Sequence, residues 1–159
     1  MNKLTIAQRA YIAGFLDGDG SIYVRLKPNA TYRFRYQVAP NIVFFQSMKA
    51  RFGLENIQNI LGIGYLRDRN DGIVEYTIGD EVSIAALLDC IYPYLYLKRK
   101  QAVIMLTILK KKKLVATGSD FLKLCALIDR FQLLNYSKKR IQTRSAVQKT
   151  LLAEGILTP

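Results

Sequence analysis

Residues Tyr11-Ile-Ala-Gly-Phe-Leu-Asp-Gly-Asp-Gly-Ser21 decide how the rest of the chain is read. An apolar helix ends there in two carboxylates, Asp17 and Asp19, among the glycines Gly14, Gly18 and Gly20. Acidic groups are disfavoured at a helix C-terminus, where the macrodipole is negative and the last carbonyls lack partners. Two readings are open: the carboxylates cap a turn before Gly20, or a cation neutralises them. Upstream, Thr5 and Gln8 have the form of a capping box, and Ile6, Ala10, Ala13, Gly14 and Leu16 or Asp17 follow at helical spacing. Each glycine inside a helix costs about 1 kcal/mol relative to Ala, which calls for a packing reason. Gly14 and Gly18, with Ala10 a turn earlier, would let a second helix approach closely. Two copies packed that way would bring their Asp19 ends side by side.

The chain of 159 residues carries 24 Lys and Arg against 12 Asp and Glu, a net charge of +12. Such an excess is the footprint of a polyanionic partner. A membrane surface would also attract it, but no apolar run approaches the roughly 18 residues of a spanning helix. Half of the residues are hydrophobic, enough for a core in one domain of this length. Histidine and tryptophan are absent. The missing histidine excludes a Ser-His-Asp triad, His-ligated zinc and histidine general bases. Hydrolytic chemistry would have to run on carboxylates, amides, Lys, Arg and metal. Cys90 and Cys125 lie on apolar helix faces without metal-ligand spacing, which predicts core packing in a reducing compartment. The N-terminus shows neither a signal-peptide core nor transit-peptide character, so the expected place of action is the cytoplasm or the organelle that encodes the protein.

Beyond the helix, residues 21–45 alternate. Tyr23, Arg25 and Lys27 share one face and Ile22, Val24 and Leu26 the other. Pro28-Asn29-Ala30 reads as a turn, and the return strand places Arg33, Arg35, Gln37 and Asn41 opposite Phe34, Val38, Ile42 and Phe44. Pro40 should lie at an edge or a bulge. Ser47 to Leu61 reads as a helix closed by Gly62. A second hairpin turns at Asp71-Gly72, with Tyr65, Arg67 and Arg69 facing Glu75 and Thr77 across it. Helices are predicted over about 80–96, 97–114, 119–134 and 143–154. The expected fold is α+β: αββαββα with a four-stranded antiparallel sheet backed by helices, plus C-terminal helices. Residues 1–159 form a single domain in this reading, with a core of about 5–135 and a helical extension of about 136–155.

The polar sheet face carries Arg25, Lys27, Arg33, Arg35, Arg67 and Arg69 against Glu75 alone. Like charges on adjacent strands repel, so a polyanion laid across them accounts for the pattern better than solvation does. DNA fits, because its major groove admits a β-ribbon and is read by Arg at guanine, Asn or Gln at adenine, and apolar groups at the thymine methyl. Lys110 to Lys113 close a helix, where the dipole favours cations and no function is needed. Lys98-Arg99-Lys100 opens one, the wrong end for cations, which favours a role toward phosphate for Lys98. The run Ser137 to Arg140 is a candidate backbone-phosphate contact through Lys138, Lys139 and Arg140.

Ile12-Ala-Gly-Phe-Leu-Asp-Gly-Asp-Gly20 resembles the defining motif of the LAGLIDADG homing endonucleases. Ser21-Ile22, Lys27-Pro28-Asn29, Gly62 to Arg69 and Leu97 to Ala102 follow in the order and spacing of its small, single-motif, homodimeric members from organellar introns. The likeness spans roughly residues 8 to 140. Leu124 to Phe131 echoes the motif without its glycines and reads as a core helix. The resemblance implies a saddle-like sheet and a homodimer through the motif helix, with Ala10, Ala13, Gly14, Asp17 and Gly18 at the contact. It implies a site-specific double-strand DNA endonuclease that uses Mg²⁺ and needs no small-molecule cofactor. Asp19 and the carbonyl of Gly18 would hold metal, Gln46 would position water, and Lys98 would stabilise charge on the phosphate. The family places a further basic residue where this chain has Ala50, so Lys49 or Arg51 would have to substitute, and Arg51 is taken as the catalytic candidate. Asp17 would help cap the paired motif helices. DNA contacts are expected from Tyr23, Arg25, Lys27, Asn29, Thr31, Tyr32, Arg33, Arg35, Gln37, Asn41 and Val43, from Arg67, Arg69, Glu75 and Thr77, and from Lys138 to Arg140. The alternative is a nucleic-acid binder that does not cleave, an RNA maturase or a DNA-binding regulator on the same scaffold. A basic ribosome-associated structural protein would explain the charge but not the motif.

Overall fold

The computed structural model describes residues 4–134 and 142–157. Helix α1 (Ile6–Asp19) leads into strand β1 (Gly20–Pro28), followed by β2 (Tyr36–Ser47), α2 (Arg51–Leu61), β3 (Tyr65–Asp68) and β4 (Ile73–Ile78). Helices α3 (Glu81–Ile91), α4 (Arg99–Lys112), α5 (Gly118–Leu134) and α6 (Arg144–Ala153) complete the order. The predicted α+β sequence of elements is present, and the strands form one sheet in the order β1-β2-β4-β3. Pairing is antiparallel between β2 and β4 and between β3 and β4. Among the described residues no helix is long and apolar enough to cross a membrane.

Local chemistry sets the boundaries. The Thr5–Gln8 capping box is formed, with Gln8 Oε1 accepting from the Thr5 N–H at 2.9 Å and Thr5 Oγ1 from the Gln8 N–H at 3.2 Å. Gly62 closes α2 in the left-handed conformation at φ 66°, donating to the Gln58 carbonyl at 2.7 Å. Asp80 caps α3 through the Ser83 N–H at 2.8 Å. A 3-10 turn over Tyr92–Tyr94, with Pro93 inside it, cuts α3 shorter than its predicted extent of 80–96. Pro40 lies within β2, but the β2–β4 register begins only at Ile42 opposite Ile78. On that side Pro40 is therefore at a local edge, as its lack of an N–H requires.

The chain forms two compact units. Met1–Ile22 with Pro40–Ala102 buries Ile12, Leu16, Phe44, Leu54, Tyr76 and Leu87 to 1 % exposure or less. Phe44 stacks on Tyr76 with centroids 5.7 Å apart, Phe15 packs tilted against Phe44 at 5.8 Å, and the Tyr76 hydroxyl donates to the Ile63 carbonyl at 2.5 Å. Burial pushes the Tyr76 phenol up, so it remains a neutral donor. Tyr23–Ala39 with Val103–Pro159 is built around Phe34 stacked on Phe121 at 4.9 Å, with Ile108, Ile128, Val147 and Leu151 buried. There Tyr36 and Thr150 join hydroxyls at 2.9 Å. Cys125 is buried as expected of a core residue, and Cys90 is half-buried.

Candidate active site and nucleic-acid interface

Helix α1 turns two faces to different uses. Ile12, Ala13, Leu16 and Asp17 are buried, whereas Ala7, Ala10, Tyr11, Gly14 and Gly18 are exposed. A Cβ placed on Gly14 or Gly18 meets nothing within 4 Å. The exposed stripe therefore holds Ala10, Gly14 and Gly18 of the expected contact and adds Ala7 and Tyr11. Ala13 and Asp17 depart from expectation, because both are packed into their own chain.

The Asp17 carboxylate accepts three successive backbone amides: Tyr96 at 2.6 Å, Leu97 at 3.1 Å and Lys98 at 2.9 Å. It thus caps the approach to α4 rather than a paired motif helix. Asp19, two residues on and rotated about half a turn, is exposed. Gly20 makes that presentation possible. Its N–H returns to the Leu16 carbonyl, and a Cβ there would meet Leu16 side-chain and backbone atoms at 2.5–2.9 Å. The chain therefore bends directly from helix to β1 with Asp19 at the corner. No basic residue lies in the last turn of α1.

The cation comes from elsewhere in the sequence. Lys98 Nζ donates to the Asp17 carbonyl at 2.5 Å. Burial lowers the pKa of this ammonium, while the charges of Asp17 and Asp19 act to raise it. Lys98 and Asp19, 79 positions apart by their numbers, are thereby brought into electrostatic reach. Gln46 is the penultimate residue of β2, paired with Val74, and its Oε1 accepts from the Ser47 N–H at 2.8 Å. Arg51 is engaged otherwise than expected. Its guanidinium lies between Glu55, at 2.7 Å, and Asp68, and both partners raise its pKa, the Glu55 hydrogen bond most. Lys49 is exposed, its ammonium without an ion pair among the described residues.

Among the described residues no three His, Cys, Asp or Glu side chains cluster as a metal site. At the end of α1 the exposed Asp19 carboxylate stands where carbonyl oxygens also gather. These are hard oxygen donors of the kind that suit Mg²⁺ or Ca²⁺.

The strands divide the expected DNA contacts. On β1, Arg25 and Lys27 are exposed, Tyr23 is half-buried, and the Arg25 guanidinium stands 4.7 Å from the Tyr23 ring centroid. The return strand begins only at Tyr36, so Arg33 and Arg35 belong to the connection 29–35 and not to the ladder. Asn29 Oδ1 accepts from the N–H and the hydroxyl of Thr31, at 3.0 and 2.7 Å, holding that turn. Thr31, Tyr32 and Arg33 are exposed on it. Arg35 sits at φ 60°, its side chain donating to the Ala30 carbonyl at 2.6 Å and to Glu154 at 3.1 Å. Gln37 and Asn41 are half-buried on β2.

Two expected contacts are corrected by burial. Val43 pairs with Thr77, which pairs with Tyr65, so Val43 and Thr77 lie on the two central strands. They are 2 % and 6 % exposed, and Tyr65 takes the exposed place in that row. In the next row Phe45, Glu75 and Arg67 align. Glu75 is held by Arg67 at 3.5 Å and by Arg69 at 3.0 Å, and Arg69 also pairs with Asp71 at 2.6 Å. The β3–β4 hairpin is less single-signed than the sequence pattern implied, since Asp71 and Glu75 answer Arg69 and Arg67, and in the connection 29–35 Glu154 answers Arg35. Arg25, Lys27 and Arg33 make no ion pair among the described residues. Lys138, Lys139 and Arg140 lie outside the described residues.

The sequence profile described as LAGLIDADG endonuclease matches residues 12–108. The chain is 34% identical over 142 residues to the DNA endonuclease I-CreI of Chlamydomonas reinhardtii, covering 89% of this chain and 86% of that protein. It is 37% identical over 147 residues to the DNA endonuclease I-CvuI of Chlorella vulgaris, covering 92% and 86%. The crystal structure of I-CvuI with the I-CreI target in 2 mM Mg, its DNA not cleaved, matches at a TM-score of 0.90 and 36% identity over 96% of this chain and 97% of that one. The archaeal intron-encoded homing endonuclease I-Vdi141I, complexed with DNA, shares the fold at a TM-score of 0.83 and 18% identity, over 95% and 98% of the two chains.

Proposed function

The chain is a member of the LAGLIDADG endonuclease family, and from that premise we propose that it is a homodimeric, divalent-metal-dependent, site-specific double-strand DNA endonuclease. The observation that carries the reading is Asp19, exposed at the corner between α1 and β1 with Lys98 in electrostatic reach and, among the described residues, no cluster of three His, Cys, Asp or Glu side chains to complete a metal site. A half-site of this kind requires a second copy, and the small-residue stripe on α1 is where that copy would seat. Relatives named as DNA endonucleases, and solved with DNA in Mg or Ca, support both the substrate and the metal.

Asp19 from each copy, with the Gly18 carbonyl, would hold the metal. Bound there, Mg²⁺ would supply Lewis-acid activation of water and stabilisation of the leaving oxygen. The Lys98 ammonium would face the scissile phosphate and offset the charge that develops on it. Gln46, at the end of β2, would orient the attacking water once its amide leaves the Ser47 N–H. With Arg51 held by Glu55 and Asp68, Lys49 is the basic group available for the position that Ala50 leaves empty.

The test is a cleavage selection on randomised near-palindromic DNA, with half-sites about 10 bp apart centre to centre. Double-strand cuts at one preferred site in Mg²⁺, absent in EDTA, are expected. Tight binding with no cut under any divalent metal would leave the non-cleaving binder instead.

Arg67 is 65 % exposed with its guanidinium aligned by Glu75, a geometry suited to a base edge. Arg67→Ala should relax preference at one base pair, at about 1–3 kcal/mol. Lys27→Ala should weaken all sequences alike and reduce the salt slope by about one. Unchanged preference at every position in the Arg67 variant would remove the strands as the reading surface.

A further inference from the structure

We propose that Asp17 is the positioning residue of the cleavage site: it sets where the Lys98 ammonium stands relative to Asp19. The inference rests on the endonuclease reading. Asp17 binds Lys98 at both ends. Its Oδ1 accepts the Lys98 backbone N–H at 2.9 Å, and its own carbonyl accepts Lys98 Nζ at 2.5 Å. Its Oδ2 accepts the amides of Tyr96 and Leu97 at 2.6 and 3.1 Å. Three consecutive N–H groups converging on one oxygen pair form an anion nest, and this nest is filled by a side chain only 8 % exposed. The Lys98 carbonyl then accepts from the Ala102 N–H at 3.0 Å, the first bond of α4. One residue thereby fastens the last turn of α1 to the first turn of α4. Its neighbour two positions on carries the exposed carboxylate.

A buried carboxylate satisfied entirely by backbone amides could be read as fold alone. The lysine argues for more, because a long flexible ammonium is costly to immobilise unless its place matters. Neither Asn nor Glu can reproduce the grip. Asn replaces one acceptor oxygen by an NH₂ group that faces an N–H donor. Glu keeps the charge but moves it outward by a methylene.

The experiment compares Asp17→Asn, Asp17→Glu, Lys98→Ala and the Asp17→Asn/Lys98→Ala pair on the DNA site that the wild type cuts. Binding is titrated in Ca²⁺ and single-turnover cleavage is timed in Mg²⁺, with rates normalised to the DNA-binding-competent fraction. Both Asp17 variants should bind within about threefold of wild type. Their cleavage should slow by about 30- to 100-fold, since a displacement of roughly 1 Å at a reacting centre can cost about 10²-fold. The double variant should cut no slower than Lys98→Ala, because Asp17 acts through the lysine. Wild-type cleavage rates in the normalised Asp17 variants would overturn the proposal, as would losses that multiply in the double variant. Failure of both Asp17 variants to fold would also overturn it, leaving Asp17 a purely structural cap. A wild type that cuts no DNA would instead fell the endonuclease reading.

Discussion

Replacing Asp19 by asparagine is expected to abolish cleavage while DNA binding persists. Asp19 is exposed at the negative end of α1, with no basic residue in the last helical turn. The nearby Lys98 ammonium is already engaged by the Asp17 carbonyl. In the dimer, two such carboxylates would stand against two phosphates, an arrangement tolerable only with divalent metal between them. Asparagine keeps the shape of the side chain and removes the charge that binds metal. In EDTA the repulsion is unscreened in the wild type, so the variant should bind more tightly there. A unit charge pair about 4 Å apart is worth roughly 1 kcal/mol in water, which makes the gain about fivefold per contact. In Ca²⁺ the two proteins should bind alike. Filter binding in EDTA and Ca²⁺, with nicking assays in Mg²⁺, measures all three quantities. Cleavage by the variant at the wild-type rate would overturn the assignment of Asp19 as the metal carboxylate.

What was legible in the sequence was what local chemistry dictates. The Thr5–Gln8 cap, the alternation of Ile22, Val24 and Leu26 against Arg25 and Lys27, and the Gly62 stop all depend on neighbours a few residues away. The inward turn of Asp17 was readable in principle. It follows Ala13 by four residues and so lies on the stripe of Ile12, Ala13 and Leu16, but its partners at Tyr96 to Lys98 come from far along the chain. Arg35 could not be placed by alternation, because period two does not run through the connection 29–35, where Arg35 takes φ 60°. Its acidic partner, Glu154, is 119 positions away. Val43 and Thr77 have the parity of outward residues yet lie buried on the two central strands, which alternation along the sequence does not show. Arg51 is held between Glu55 and Asp68, and Asp68 reaches it only through the tertiary fold. Charge counted along the sequence therefore overstated the basic face.

Gly14→Leu should give a folded monomer that cannot cut both strands. Within its own chain the substitution is harmless, because a Cβ at Gly14 meets nothing within 4 Å and leucine is favoured over glycine in a helix by about 1 kcal/mol. That gain offsets part of the stability that assembly supplies by mass action. Any large loss must therefore arise between molecules. Ala10, Gly14 and Gly18 form an exposed stripe with Ala7 and Tyr11, Tyr11 being 61 % exposed, and a self-complementary contact along it has two-fold symmetry. In such a contact each Gly14 lies near the partner's helix, so one substitution inserts two leucine side chains where the backbones must meet. The two Asp19 ends then separate and neither half-site is completed. Sedimentation of both proteins, free and on the DNA site, together with double-strand cleavage, checks this. The wild type should sediment as a dimer on DNA, and the variant as a cooperatively melting monomer without double-strand activity. Wild-type sedimentation as a monomer on DNA, or full cutting by the leucine variant, would mean that α1 does not join the copies and that the second carboxylate comes from elsewhere.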